Sequence, residues 1–143
     1  MATRTETANS IGLLILRVGM GALMLPSGIT KLKWLREGTE FGDPIGLGPQ
    51  LSLILVVAAE FLGSIGVMLG FATRLAAFGI AFTMGVAAFV AHANDPWLMG
   101  PGVAVSKQPA LMFLVPFLAL VFTGAGMYSV DAYLFGRKGR GGK

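Results

Sequence analysis

The sequence predicts an all-α integral membrane protein, a four-helix bundle with both termini on the cytoplasmic side. Three observations carry that expectation. Hydrophobic residues make up 55% of the 143 and charged ones only 13%, about half the charged share of an ordinary soluble domain, and this composition belongs to membrane proteins. Mean hydropathy is +0.75. Apolar runs of spanning length recur, and Leu51 to Phe71 offers 21 residues, enough for a hydrocarbon core of about 30 Å at about 1.5 Å per residue. The stretch Lys33 to Gly48 is instead polar and rich in Gly and Pro, which marks turns rather than a span.

The elements follow in order within one domain, residues 1–143. A first span is expected over about Ser10–Leu32, with Asn9 or Ser10 as N-cap, and with Pro26 kinking or ending it. Arg4 ahead of the apolar stretch Ile11–Leu25 resembles the start of a signal peptide. Arg17 inside that stretch, and the lack of a small-x-small cleavage site, predict a retained helix. The second span is expected over Pro49–Phe71, followed by a tight turn at Ala72–Arg74. The third covers Leu75–His92, followed by an irregular loop from Ala93 to Gln108. The fourth covers Pro109–Met127, with Pro116 as a kink, and a basic tail occupies residues 136–143.

Four spans put both termini on one side. That side carries Arg4, Arg74 and the cluster Arg137, Lys138, Arg140 and Lys143. The other carries Lys31, Lys33, Arg36 and Lys107, diluted by Glu37, Glu40 and Asp43. The excess of basic residues near span ends predicts cytoplasmic termini, and the basic tail reads as a topology signal rather than a nucleic-acid site. Trp34, Trp97, Tyr128 and Tyr133 fall near span ends as interfacial anchors do. Gly63, Gly66 and Gly70 on the second span, and Ala77, Ala81, Gly85, Ala88 and His92 on the third, form stripes of mostly small residues that let helix backbones approach.

Several chemistries are excluded outright. There is no cysteine, hence no disulfide, thiol chemistry or cysteine-ligated metal. The single histidine excludes bis-histidine haem ligation within one chain. The scattered carboxylates show no metal-ligand spacing. Redox chemistry would need a bound molecule or a partner protein.

Charges inside the spans are the candidate site. A charge at bilayer depth costs about 2.5–3.5 kcal/mol or more, so it faces protein and finds partners. Arg17 and Glu60 are expected to pair between the first two antiparallel spans, either fixing helix register or lining a pocket or proton path. Arg17, Gly21, Met24, Gly28 and Lys31 fall on one face of the first span, and Glu60, Ser64, Val67, Phe71 and Arg74 on one face of the second. Arg74 reads as a snorkelling anchor at the interface. At the extracytoplasmic rim, Lys31 and His92 stand near Asn94, Asp95 and Asp43. A histidine exchanges protons near neutral pH, and Lys or His hydrogen-bonds a carbonyl oxygen, as a quinone headgroup would require. An ordinary interfacial histidine explains His92 equally.

At these residues the chain resembles the DoxX/DoxD-like family of small four-helix bacterial membrane proteins. The resemblance covers about Leu13 to Leu134. It rests on Leu16-Arg17 with Gly19 and Gly21, Gly28-x-x-Lys31-Leu32, Phe41-Gly42-Asp43-Pro44-x-Gly46-Leu47-Gly48 and Ala59-Glu60-Phe61-Leu62-Gly63. It continues through Leu69-Gly70-Phe71-x-Thr73-Arg74, Met84-x-x-Ala87-Ala88-Phe89 and His92-Ala93-x-Asp95-Pro96, and closes with Thr123-Gly124-x-Gly126-x-Tyr128-Ser129-x-Asp131. Family members often carry His where this chain has Ser27. The resemblance implies a multi-pass protein of the bacterial plasma (inner) membrane and a redox-associated, quinone-linked subunit binding a lipophilic small molecule. A quinone is then the expected ligand, with no covalently bound cofactor. The expected partners are the lipid bilayer, a soluble or membrane oxidoreductase and further copies of the chain as a homo-oligomer, with no nucleic acid. A non-enzymatic structural or assembly subunit, or a small-solute carrier, is the alternative. The expected ligand-binding residues are Arg17, Glu60, Lys31 and His92, supported by Arg74, Asp43 and Asp95.

Overall fold

The computed structural model of the chain describes residues 3–136. The basic cluster Arg137, Lys138, Arg140 and Lys143, on which the orientation chiefly rested, lies outside the described residues. Among the described residues the regular elements are all helices, with no strand: α1 (Arg4–Glu37), α2 (Pro49–Leu69), α3 (Thr73–Ala91), α4 (Gln108–Thr123) and a short α5 (Val130–Phe135). The first three are long and apolar enough to span a bilayer, and α4 is a shorter apolar helix. Helix α1 packs along α2, α2 on α3, α3 extensively on α4, and α4 returns to α1, which closes a four-helix bundle. Met24, Val67, Ile80, Phe117 and Leu120 meet in its core.

Helix α1 starts at Arg4, six residues before the predicted Ser10, because Thr3 and Glu6 form a capping box. The Thr3 hydroxyl accepts the Glu6 N–H at 3.2 Å, and the Glu6 carboxylate accepts the Thr3 N–H at 2.7 Å. That reciprocal pair satisfies two N–H groups the helix would leave open. Ser10 is buried instead, and its hydroxyl accepts the Met127 N–H, which brings the chain's two described ends to the same end of the bundle. Nor does Pro26 end the helix, which runs on to Glu37 and closes at the left-handed Gly38. Neighbouring helices let a spanning helix absorb a proline. The buried residues Arg17, Gly21, Met24 and Gly28 form a single stripe.

Helices α2 and α3 each contain one wider turn, with π geometry, over Ala58–Leu62 and Ala87–Ala91. Such turns re-aim the side chains they carry and recur at functional sites. The turn between the two helices lies at Gly70–Ala72, about two residues earlier than predicted, and Ala72 takes the left-handed conformation at φ 45°. A non-glycine residue there is costly, and a remote group supports it. The Asp131 carboxylate accepts the Ala72 N–H at 2.8 Å and the Thr73 N–H at 2.9 Å, capping α3 from 58 residues away. Helix α4 stops at Thr123 rather than the predicted Met127, because Gly124 and Gly126 adopt positive φ. The chain then folds back over the bundle end, and Ser129 caps α5, a helix the sequence did not predict, by accepting the Ala132 N–H.

Candidate functional site

The expected Arg17–Glu60 pair does not form. Arg17 is fully buried, and its guanidinium donates to the Val67 carbonyl at 3.1 Å and to the Tyr128 carbonyl. It thus binds the carbonyls at the α2 C-terminus, where the helix dipole favours a cation, and ties α2 to the segment leading into α5. Glu60 pairs elsewhere. Lys31 donates to its two carboxylate oxygens at 2.7 and 2.6 Å and to the Ser27 hydroxyl at 3.0 Å, while that hydroxyl donates to Glu60 Oε2 at 2.7 Å.

The direction of helical side chains explains the exchange of partners. Every Cα–Cβ bond tilts toward its own helix's N-terminus. On α1 this sends Arg17 toward the end of the bundle where α2 finishes. On the antiparallel α2 it sends Glu60 the opposite way, toward the end where Lys31 stands. Arg17 and Lys31 are 14 residues apart, about 21 Å along the helix, so one carboxylate cannot serve both.

Glu60 is 1% exposed and sits in the π turn of α2. The Ser64 hydroxyl donates to its backbone carbonyl. Gly28 of α1 lies directly against this turn, and a Cβ built there would come within 2.6 Å of the Phe61 nitrogen. Glycine is required at Gly28 because the two backbones touch. Close contact at Gly28 and the widened turn together hold the Glu60 carboxylate within hydrogen-bond reach of both Ser27 and Lys31.

The pair forms the polar wall of a cleft of about 770 Å³ bounded by α2, α3 and the connection at residues 41–45, with His92 at its rim and Leu55, Phe82 and Met84 among its apolar walls. Of the residues expected at a site, the cleft therefore gathers Lys31, Glu60, Asp43 and His92. Asp95 stands behind the rim, its Oδ2 2.7 Å from His92 Nδ1. With Nδ1–H donated to Asp95, Nε2 is left to accept a hydrogen bond when the ring is neutral and to donate one when it is protonated. Asp43 fastens the connection over the cleft: its carboxylate accepts from the Leu47 and Gly48 N–H groups and the Ser52 hydroxyl, each at 2.9 Å. The Gly48 N–H above all holds this carboxyl below its ordinary range, against a smaller opposing effect of burial.

Arg17 and Arg74 lie outside the cleft. Arg74 is exposed, and its guanidinium donates to the Phe122 carbonyl at 3.2 Å, tying α3 to the end of α4. The sequence reading missed three contributors. Ser27 was noted only as a departure from a family habit, although its i, i+4 spacing to Lys31 placed it on the same face. Ser52 carried no signal. Asp131 lay in a matched motif, but nothing local showed that it caps a distant helix. Among the described residues no group of three or more His, Asp or Glu side chains is placed to hold a metal ion.

The sequence model of the DoxX family matches residues 12–93. The inner membrane protein YqjF of Escherichia coli is 32% identical over 126 residues, covering 87% of this chain and 92% of the relative. A Bacillus subtilis protein named "Putative oxidoreductase CatD" is 28% identical over 131 residues, 92% of each chain. An uncharacterized protein of Haemophilus influenzae is 33% identical over 94 residues. No solved structure matches the chain.

Proposed function

The chain belongs to the DoxX family and is a multi-pass protein of the bacterial inner membrane, and we propose that its cleft binds a lipophilic small molecule with an oxygen-bearing headgroup, of the quinone class, as part of a redox-associated membrane system. The single observation that carries this reading is the buried Glu60 carboxylate, hydrogen-bonded to half-buried Lys31 and Ser27, with Glu60 and Lys31 lining a mostly apolar cleft. A volume of about 770 Å³ is in the range of small-molecule sites, which are mostly apolar with a few convergent polar groups. A charge pair at this depth is costly to keep, and an apolar pair of similar volume would pack the helices as well.

The residues divide the work. Glu60 offers its remaining lone pairs to a ligand hydroxyl. Lys31 offers an N–H to a ligand carbonyl by releasing one of its present acceptors. His92, oriented by Asp95, meets the far side of a headgroup as acceptor or donor according to its protonation. A quinone supplies two-electron chemistry when bound, and these residues hold or release protons beside its oxygens. The oxidoreductase name of the Bacillus subtilis relative supports a redox setting. In this reading the termini are cytoplasmic and the cleft lies toward the extracytoplasmic face.

Native mass spectrometry with lipid extraction of the gently purified protein tests the proposal. A quinone should accompany the native chain and be lost from Glu60→Gln and Lys31→Met variants that remain folded. A folded native protein that carries no such ligand, and binds none when offered quinones in vesicles, would overturn it.

A further inference from the structure

We infer that the ligand enters the cleft sideways from the bilayer, through the gap between α2 and α3, and leaves an apolar tail lying in that gap. This rests on the reading above and adds to it the route and the shape of the molecule: a single headgroup with one hydrocarbon tail.

The walls of the cleft carry the argument. Its lining includes Leu55 of α2 and Phe82 of α3, which are also 45% and 54% exposed on the outer faces of two spanning helices. A side chain that lines a cleft and also faces outward marks its mouth, and on a span that outward side is lipid. The gap has a defined closed end. At Gly79 a Cβ would rest 3.6 Å from the Ala59 Cβ, so the two helices cross in ordinary contact there. Beyond the crossing, toward His92, the lining continues through Phe82, Thr83 and Val86, so the cleft follows the two helices from Gly79 onward.

The end nearer the aqueous interface is built differently. Residues 41–45 lie over it, and three hydrogen bonds from the Leu47 and Gly48 backbone and the Ser52 hydroxyl hold Asp43 in place. The roof is thus fastened, while the mouth between Leu55 and Phe82 has only apolar side chains that can turn aside. Polarity runs the same way, from Lys31 and Glu60 inside to leucine and phenylalanine outside. That gradient fits an amphiphile lying with its head inward, and it offers nothing to the distal part of a molecule that is polar throughout.

The chain has no cysteine, so single thiols at Leu55 and Phe82 can be labelled without background. Both positions are exposed and outside the core. Nitroxide-labelled Leu55→Cys and Phe82→Cys proteins in vesicles should collide readily with oxygen, which concentrates in lipid, and poorly with a water-soluble nickel chelate. A Met99→Cys label in the connection after α3 should show the reverse. Decyl-benzoquinone should shield both mouth labels, and its tail-less analogue, which has nothing to lay between Leu55 and Phe82, should leave them unshielded. Mouth labels reached equally by the nickel chelate, or left unshielded by decyl-benzoquinone bound at the Glu60 site, would overturn the lateral route and leave the functional reading standing. Absence of binding by either quinone would overturn both.

Discussion

Replacing Gly28 by alanine puts a methyl group where the backbone of α2 already is. The new Cβ would lie 2.6 Å from the Phe61 nitrogen, 2.7 Å from its Cα and 2.8 Å from the Glu60 carbonyl carbon. Ordinary contact begins near 3.4 Å, and these are backbone atoms of a helix, which cannot swing away as a side chain can. Helix α1 and the π turn must therefore separate by about 0.6–0.8 Å. The Lys31–Glu60 contacts at 2.6 and 2.7 Å would stretch to roughly 3.2–3.5 Å by the same motion, beyond good hydrogen-bond length. Overpacking of this kind costs about 1–3 kcal/mol, against a gain of about 0.4–1 kcal/mol for losing a glycine. The same helix supplies its own control, because a Cβ at Gly19 would meet nothing within 4 Å. Thermal unfolding of the purified protein in detergent should show Gly28→Ala less stable than the native chain and Gly19→Ala equal or slightly more stable. Ligand retention should fall in Gly28→Ala alone. Equal stability and equal retention in the two variants would refute the claim that close backbone contact positions Glu60.

Four further outcomes are expected. In a double-mutant cycle on the buried pair, Lys31→Met should destabilise by about 3–5 kcal/mol by stranding the Glu60 charge. The Lys31→Met/Glu60→Gln double variant should recover part of that loss, and simple additivity would argue against the pair. Asp131→Ala removes the remote cap of α3 and should cost about 0.5–2 kcal/mol, read as faster hydrogen exchange at Ala72 and Thr73. Arg17→Lys cannot span the Val67, Met68 and Tyr128 carbonyls together as a planar fork does, and should loosen the α5 end in limited proteolysis without emptying the cleft. Acid should release the roof. Because the folded Asp43 carboxyl titrates below its ordinary 3.8, its stabilisation is fully present above that value and is lost as pH falls through the lower, folded one. Trp34 packs 6.5 Å from Phe41 beside this roof, so its fluorescence, in a Trp97→Phe background, should change in that acidic window, and the change should vanish in Asp43→Asn.

The membrane class, the helical fold and the number of long apolar runs were legible in the sequence because each follows from a local cost. A backbone in lipid must bond within its own helix, and a charge in lipid must turn inward, whatever its partner proves to be. The same logic marked Arg17, Gly21, Met24 and Gly28 as one buried face of α1, and it singled out Lys31, Glu60 and His92, which the fold brings to one cleft. What sequence periodicity could not supply was the partner of each charge. Opposite signs and similar depth suggested Arg17 with Glu60. In the folded bundle, side chains tilt toward each helix's own N-terminus, and two antiparallel helices therefore send these two charges apart. The π turn that aims Glu60, the carboxylate of Asp131 that caps a helix 58 residues away, and the meeting of α1 and α2 at Gly28 likewise arise only between elements. Burial is set residue by residue, whereas pairing is set by the directions and heights at which helices meet, and those exist only once the bundle has closed.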